Sequence, residues 1–229
     1  MKTTRRTLFV APVILLLAGT SAARGENLAA FDGRMEARAA AIQQPAQPSE
    51  PQARPDLVRQ PYGAADVEFM SGMIPHHAQA VVMAGWAPSH GARPDVRILC
   101  ERILVGQRDE IAFMRTWLRD RGETVPAADA THHRMKMNGV EHDMLMPGML
   151  SAEEMAQLDK ARGGEWDRLF LAGMIRHHEG AIKMVDDLFE SYGALQDDDL
   201  YKFASDVYAD QTTEIERMRK MLAGPGVKL

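Results

Sequence analysis

One block of this chain is written twice, and the repeat limits the fold more than any other feature. Asp66-x-x-Phe69-x-x-Gly72-Met73-Ile74-x-His76-His77-x-x-Ala80-x-x-Met83 returns at a constant offset of 101 as Asp167-x-x-Phe170-x-x-Gly173-Met174-Ile175-x-His177-His178-x-x-Ala181-x-x-Met184. Further along, Gln107-x-x-Glu110-Ile111-x-x-Met114-Arg115 returns as Gln211-x-x-Glu214-Ile215-x-x-Met218-Arg219, at an offset of 104. Two matched blocks in the same order mean two copies of one supersecondary unit.

Each block has the helical period. Phe69, Met73, His76, Ala80 and Met83 step by four, three, four and three, which is one face of an α-helix. Ile103, Gln107, Glu110, Met114 and Trp117 keep the same rhythm. Ser89-His90-Gly91 and Ser191-Tyr192-Gly193 supply turn residues between the members of each pair. The expected architecture is all-α: a four-helix bundle of two helical hairpins, 62–122 and 151–223, joined by a long crossover, 123–150. Ser151-x-x-Glu154 reads as a capping box ahead of a short helix that ends at Gly163-Gly164. No stretch reads as an alternating strand, so the crossover is expected to be a polar loop. Pro75 should kink the first helix, and its counterpart Arg176 should not kink the second copy.

Ahead of the repeat, Met1–Arg6 is basic, Leu8–Gly19 apolar, and Ser21-Ala22-Ala23 a small-residue cleavage site. This is the pattern of a secretory signal peptide over 1–23. Arg5-Arg6 also satisfies a loose twin-arginine pattern, so export to the periplasm or the exterior is expected by the Sec or the twin-arginine route. After cleavage no integral membrane segment remains. Residues 24–61 carry Pro45, Pro48, Pro51, Pro55 and Pro61 and read as a disordered tether. The net charge is −5; residues 1–23 hold three basic side chains and no acid, so their removal takes it to −8. Such a chain is a poor partner for nucleic acid. A single cysteine, Cys100, excludes an internal disulfide framework and any CxxC metal site, and is expected to be buried and unreactive.

The unusual chemistry lies in the 16 methionines and the paired histidines. On a helix Met73 is adjacent to His76 and His77, and Met174 to His177 and His178. Imidazole suits copper, zinc, nickel and iron; thioether selects Cu(I) and, by softness, Ag(I). The expected metal ligands are therefore Met73, His76, His77, Met83, Met174, His177, His178 and Met184. Copper, as Cu(I) or Cu(II), is the first expectation, with zinc or silver as further options, and capture should weaken below roughly pH 6 as imidazole protonates. A methionine stripe at helical spacing is also what a core looks like, because Met fills irregular gaps. Met83, Met184, Met114 and Met218 fit that description. The crossover adds His132, His133, Met135, Met137, His142, Met144, Met146 and Met149, which could collect a soft metal or dock as a lid on the bundle.

At these residues the sequence resembles the secreted proteins grouped as domain of unknown function 305, whose mark is a doubled Met-Ile-x-His-His block with a Gln-x-x-Glu-Ile-x-x-Met partner helix. The likeness runs over about residues 62–223 and includes the Gly148-Met149-Leu150-Ser151 stretch between the copies. It implies a ferritin-like bundle and, since some members are linked to periplasmic copper binding and copper tolerance, a role in sequestering or carrying copper. Other copper-handling proteins are then natural partners.

Two other classes stay open. Glu110 and Glu214 could be the lone acids of a ferritin-like di-metal oxidase. The Glu-x-x-His motifs of such sites are, however, replaced by Met73-x-x-His76 and Met174-x-x-His177, which removes the bridging carboxylates. Glu110 and Glu214 could instead pair with Arg115 and Arg219, while Asp66 and Asp167 cap or orient helices. A helical interaction module without metal is the third class. Hydrolase readings fail for want of Gly-x-Ser-x-Gly, His-Glu-x-x-His or a P-loop.

Overall fold

The computed structural model describes residues 60–137 and 140–224, with the backbone alone over 134–143. The expected signal peptide (1–23) and nearly all of the expected tether (24–61) lie outside the described residues. Five helices follow: α1 (Ala64–Gly85), α2 (Pro94–Asp120), α3 (Ala152–Lys160), α4 (Gly163–Glu190) and α5 (Asp198–Ala223). α1 packs on α2 and α4 on α5 as two hairpins, and α1 also packs on α4. None of these helices is long and apolar enough to cross a membrane.

Local chemistry sets the helix ends. Pro94 opens α2 at a position where its missing N–H costs nothing. Ser151 and Glu154 form the expected capping box on α3. The repeated aspartates do more than cap their own helices. Asp66 accepts from the Gly63 N–H at 2.7 Å and from the Leu195 N–H, in the turn of the second hairpin, at 2.9 Å. Asp167 accepts from the Arg93 N–H, in the turn of the first hairpin, at 3.3 Å. Each copy thus clamps the turn of the other. α1 continues unbroken through Pro75.

The crossover departs from the loop expected of it. Residues His133–Met137 (β1) and Val140–Met144 (β2) pair as a two-stranded antiparallel ribbon, His133 opposite Met144 and Met137 opposite Val140. Asn138-Gly139 lies between them, and that dipeptide is the strongest short-range hairpin signal a sequence carries. Reading only for methionine and histidine hid it.

The apolar interior is divided. One cluster gathers Phe69, Met70, Met73, Ile111, Met114, Met184, Phe203 and Val207 with their neighbours. The other gathers Met83, Leu99, Ile103, Trp166, Phe170, Met174, Ile215 and Met218. All four long helices contribute to both. Between the clusters each long helix presents polar residues: His76, His77 and Gln79; Gln107 and Glu110; His177 and His178; Gln211 and Glu214. The fold brings both halves of the repeat to one buried polar belt.

Candidate metal centre

The four paired histidines are fully buried. His76 and His177, which are repeat equivalents, meet with ring centroids 3.8 Å apart. His77 and His178 sit outside them, 6.1 and 6.2 Å from their neighbours in sequence. The convergence expected from the repeat is present.

Three of the four rings spend Nε2 on a hydrogen bond. The His76 Nε2–H donates to the carbonyl of Pro147 at 3.0 Å, and the His177 Nε2–H to the carbonyl of His76 at 2.9 Å. The His178 Nε2–H donates to the Glu214 carboxylate at 2.7 Å. The His77 Nε2 lies 2.8 Å from a Glu110 oxygen, an ion-pair approach too bent for a good hydrogen bond. A neutral imidazole that donates through Nε2 keeps a lone pair on Nδ1. All four Nδ1 atoms are buried with no hydrogen-bond partner. Buried polar atoms are normally satisfied, and four orphans in one belt call for a ligand that the protein itself does not supply.

Electrostatics keep the central pair in the ligating form. Burial, then the neighbouring His77, lowers the His76 pKa from 6.5 to about 3. Burial and the other three imidazoles hold His177 well below 6.5. Glu110 and Glu214 do not pair with Arg115 and Arg219 as the sequence allowed. Arg115 donates to the Pro126 carbonyl and Arg219 to Glu179, which leaves both glutamates to the histidines. The exposed Asp210 has its pKa raised by partial desolvation and by the charges of Glu110 and Glu214, so three acids share the α2–α5 side.

The helical methionines line both edges of the belt. Met73, Met83 and Met174 are fully buried and Met184 nearly so. The Met184 methyl lies against Gly72, and the Met83 methyl against Gly173, another exchange between repeat equivalents. They belong to the apolar clusters, so packing accounts for their burial. Met73 and Met174 stand three and four residues before the paired histidines of their own helices, a spacing that shares a face.

The crossover candidates divide. The Met149 sulfur is buried and accepts from the Met146 N–H at 3.2 Å. Met146 packs against Gly72, Met144 and His132 are exposed, and His133 is half-buried, its pKa lowered by that burial. The side chains of Met135, Met137 and His142 lie outside the described residues. Sequence reasoning missed Gln79, whose amide holds the Leu150 backbone at both N–H (2.7 Å) and carbonyl (2.9 Å). It also missed Gln107 and Gln211, buried with unpartnered Oε1 atoms. Their repetition was the signal for that pair; Gln79 has no repeated counterpart. Pro147–Leu150 passes so close to α4 that a Cβ at Gly180 would lie 1.9 Å from the Pro147 oxygen. Gly148, at φ +78°, would place a Cβ 2.3 Å from the Arg176 oxygen. The Cys100 thiol is buried, its pKa pushed up to about 12 by burial and by Asp167, and it is not a thiolate ligand.

Among the described residues no three His, Cys, Asp or Glu side chains gather as a cage for a metal ion. The paired histidines that do meet across the repeat are His76 and His177.

Solved structures share this fold. A DUF305 protein of Streptomyces coelicolor, assigned as secreted, is 28% identical with a TM-score of 0.59, over 72% of this chain and 95% of its own. A DUF305 fragment from Deinococcus radiodurans is 25% identical with a TM-score of 0.58, over 71% and 98%. CopM in its Cu(I)-bound form is 26% identical with a TM-score of 0.52, over 69% and 95%, and CopM is also known in Cu(II)- and Ag-bound forms. The uncharacterized protein L153 of Acanthamoeba polyphaga mimivirus is 34% identical over 56 residues, 24% of this chain and 37% of that protein. The family model described as domain of unknown function DUF305 matches residues 66–222, and the chain belongs to that family.

Proposed function

We propose that this is an exported copper-binding protein that sequesters or carries copper, and silver by the same chemistry, through Met and His ligands in a ferritin-like bundle. The supporting observation is the set of four buried, unpartnered Nδ1 atoms at the centre of the bundle. His76 and His177, whose rings meet, offer Nδ1 to the ion, with His77 and His178 beside them and the sulfurs of Met73, Met174, Met83 and Met184 as the further candidate donors. Pro147, the His76 carbonyl, Glu110 and Glu214 fix the rings from the Nε2 side, as outer partners do at metal sites. Binding by CopM, a relative of modest identity, supports copper over zinc. The amino-terminal sequence and the secreted relative support a periplasmic or extracellular location.

Titration of the mature chain with Cu(I) and Cu(II) against competing chelators tests this, beside a variant with all four paired histidines changed to Ala. Loss of at least a hundredfold in affinity is expected; equal binding by the two proteins overturns the assignment. The two His–Glu contacts favour a second reading, a di-metal oxidase using Glu110 and Glu214. Turnover of Fe(II) with oxygen would support it. Each carboxylate reaches a single imidazole, however, and the missing Glu-x-x-His carboxylates leave paired iron without bridging ligands.

A further inference from the structure

The imidazole belt is covered on three sides. α1 packs on α2 and α4 on α5, and the crossover lies over the seam between α1 and α4. There Gln79 holds Leu150 by both backbone groups, Gly180 lies against the Pro147 carbonyl, and His76 donates to that same carbonyl. The fourth side is different. The backbones of α2 and α5 scarcely approach one another, and side chains span the gap. At one end Phe113 stacks on Phe203 with centroids 4.8 Å apart, and the Trp117 indole donates to Asp197, just ahead of α5, at 3.3 Å. At the other end the Arg93 guanidinium, just ahead of α2, donates to the Met221 carbonyl at 2.9 Å.

Between these closures the seam is polar. Gln107 stands between Ile103 and Ile111, which belong to different apolar clusters; its repeat equivalent Gln211 stands between Val207 and Ile215, divided in the same way. The two helices run antiparallel, so the end pairings bring Gln107 and Gln211 to within about one helical turn of each other along the seam. Both glutamines are 3% exposed, and neither Oε1 has a hydrogen-bond partner. One turn along each helix, Glu110 and Glu214 touch the fully buried rings of His77 and His178 while keeping 20% and 22% of their side chains in solvent. Solvent and belt are thus bridged on this side by single side chains.

We propose that the α2–α5 seam is the port through which the metal ion enters and leaves the belt, with the Gln107 and Gln211 carbonyls receiving it as it sheds water. A bare cation cannot cross an apolar wall, whereas carbonyl oxygens can stand in for its hydration shell. Amide oxygen is a poor ligand for a soft ion, so Cu(I) or Ag(I) passes on to imidazole. Such a relay lowers the barrier without deepening the well, and it speeds entry and exit by the same factor. The port rests on the soft-metal reading of the belt but is read by rates, where the belt is read by affinity.

Stopped-flow transfer of Cu(I) from its bicinchoninate complex to the mature chain measures uptake, and excess bathocuproine disulfonate measures release. In the double variant Gln107→Leu with Gln211→Leu, both rates are expected to fall about tenfold at unchanged affinity. Each single variant keeps one carbonyl and should slow both rates about threefold, which carries the test if the double variant does not fold. Wild-type rates in these variants overturn the port. A loss of affinity also overturns it, because the glutamines would then be ligands. Arg176→Ala, on the crossover side, should leave both rates as they are; faster exchange there puts the entrance on the opposite face and overturns the port. Full Cu(I) affinity after all four paired histidines are changed to Ala instead overturns the belt, whatever the glutamine variants do.

Discussion

In the first hairpin, position 75 is proline, which leaves the Ser71 carbonyl without its helical donor; in the second, the same position is Arg176, bound to Glu154 of α3. One turn further on, Gln79 grips the Leu150 backbone where its counterpart Gly180 makes room for the Pro147 carbonyl. By contrast, the histidines, Asp66 and Asp167, Gly72 and Gly173, and the belt glutamines and glutamates are the same in both copies. The pattern has a physical reason. Groups that face the shared midplane meet their own equivalents and stay under one constraint. Groups that face the crossover cannot, because the chain has one crossover and two sides for it to touch.

The largest test of this contrast is acid. Above pH 6.5 the central rings are neutral whether the chain is folded or not. Below it the unfolded chain takes up protons that the folded chain refuses, down to about pH 3 for His76 and lower than 6.5 by a wide margin for His177. Stability of the metal-free protein should therefore fall with acidification in that window, by on the order of 1 kcal/mol per pH unit for each ring. Chemical denaturation across pH measures it. His76→Gln and His177→Gln should each flatten the slope by a similar amount, since the midplane is the symmetric region; a one-sided effect would break the comparison.

Gly180→Ala comes next. Its Cβ would press on backbone rather than on a side-chain end, so a loss of about 3 kcal/mol is expected in thermal or denaturant unfolding. Gly72→Ala meets the flexible end of Met146 and should cost less. Pro75→Ala makes the first copy more like the second. The restored N–H returns to the Ser71 carbonyl its helical donor, so about 2 kcal/mol of added stability is expected in denaturant unfolding. Glu214→Gln should weaken Cu(I) binding about tenfold in chelator competition, and Glu110→Gln less, because only His178 makes a well-formed bond to its carboxylate. Smallest is Arg176→Ala, which removes a half-exposed ion pair and should change stability by less than about 1 kcal/mol.

Much of this molecule is legible from residue spacing. A period of 3.6 repeated at a fixed offset fixes the helices, the hairpins and the meeting of the four imidazoles, since all follow from local geometry and pseudo-symmetry. Three things do not. The sequence signal for the ribbon is the Asn138-Gly139 dipeptide, which competes with a composition that reads as a metal-rich loop. The partners of Glu110 and Glu214 are set by which way each helix turns its flank, and Arg115 and Arg219 were equally close in sequence. The roles of Pro147 and Gln79 rest on backbone carbonyls and N–H groups, which residue identity does not announce.

The divided interior bears on ancestry. Neither apolar cluster belongs to one hairpin, and each aspartate ties down the turn of the opposite copy. A single unit would expose half of each cluster and leave its clamp empty, so it has little prospect of standing alone. Two identical units related by a twofold axis would complete one another fully. The arrangement is that of a homodimer whose subunits became one polypeptide, and the linker that fused them was then free to acquire contacts no symmetric pair could make.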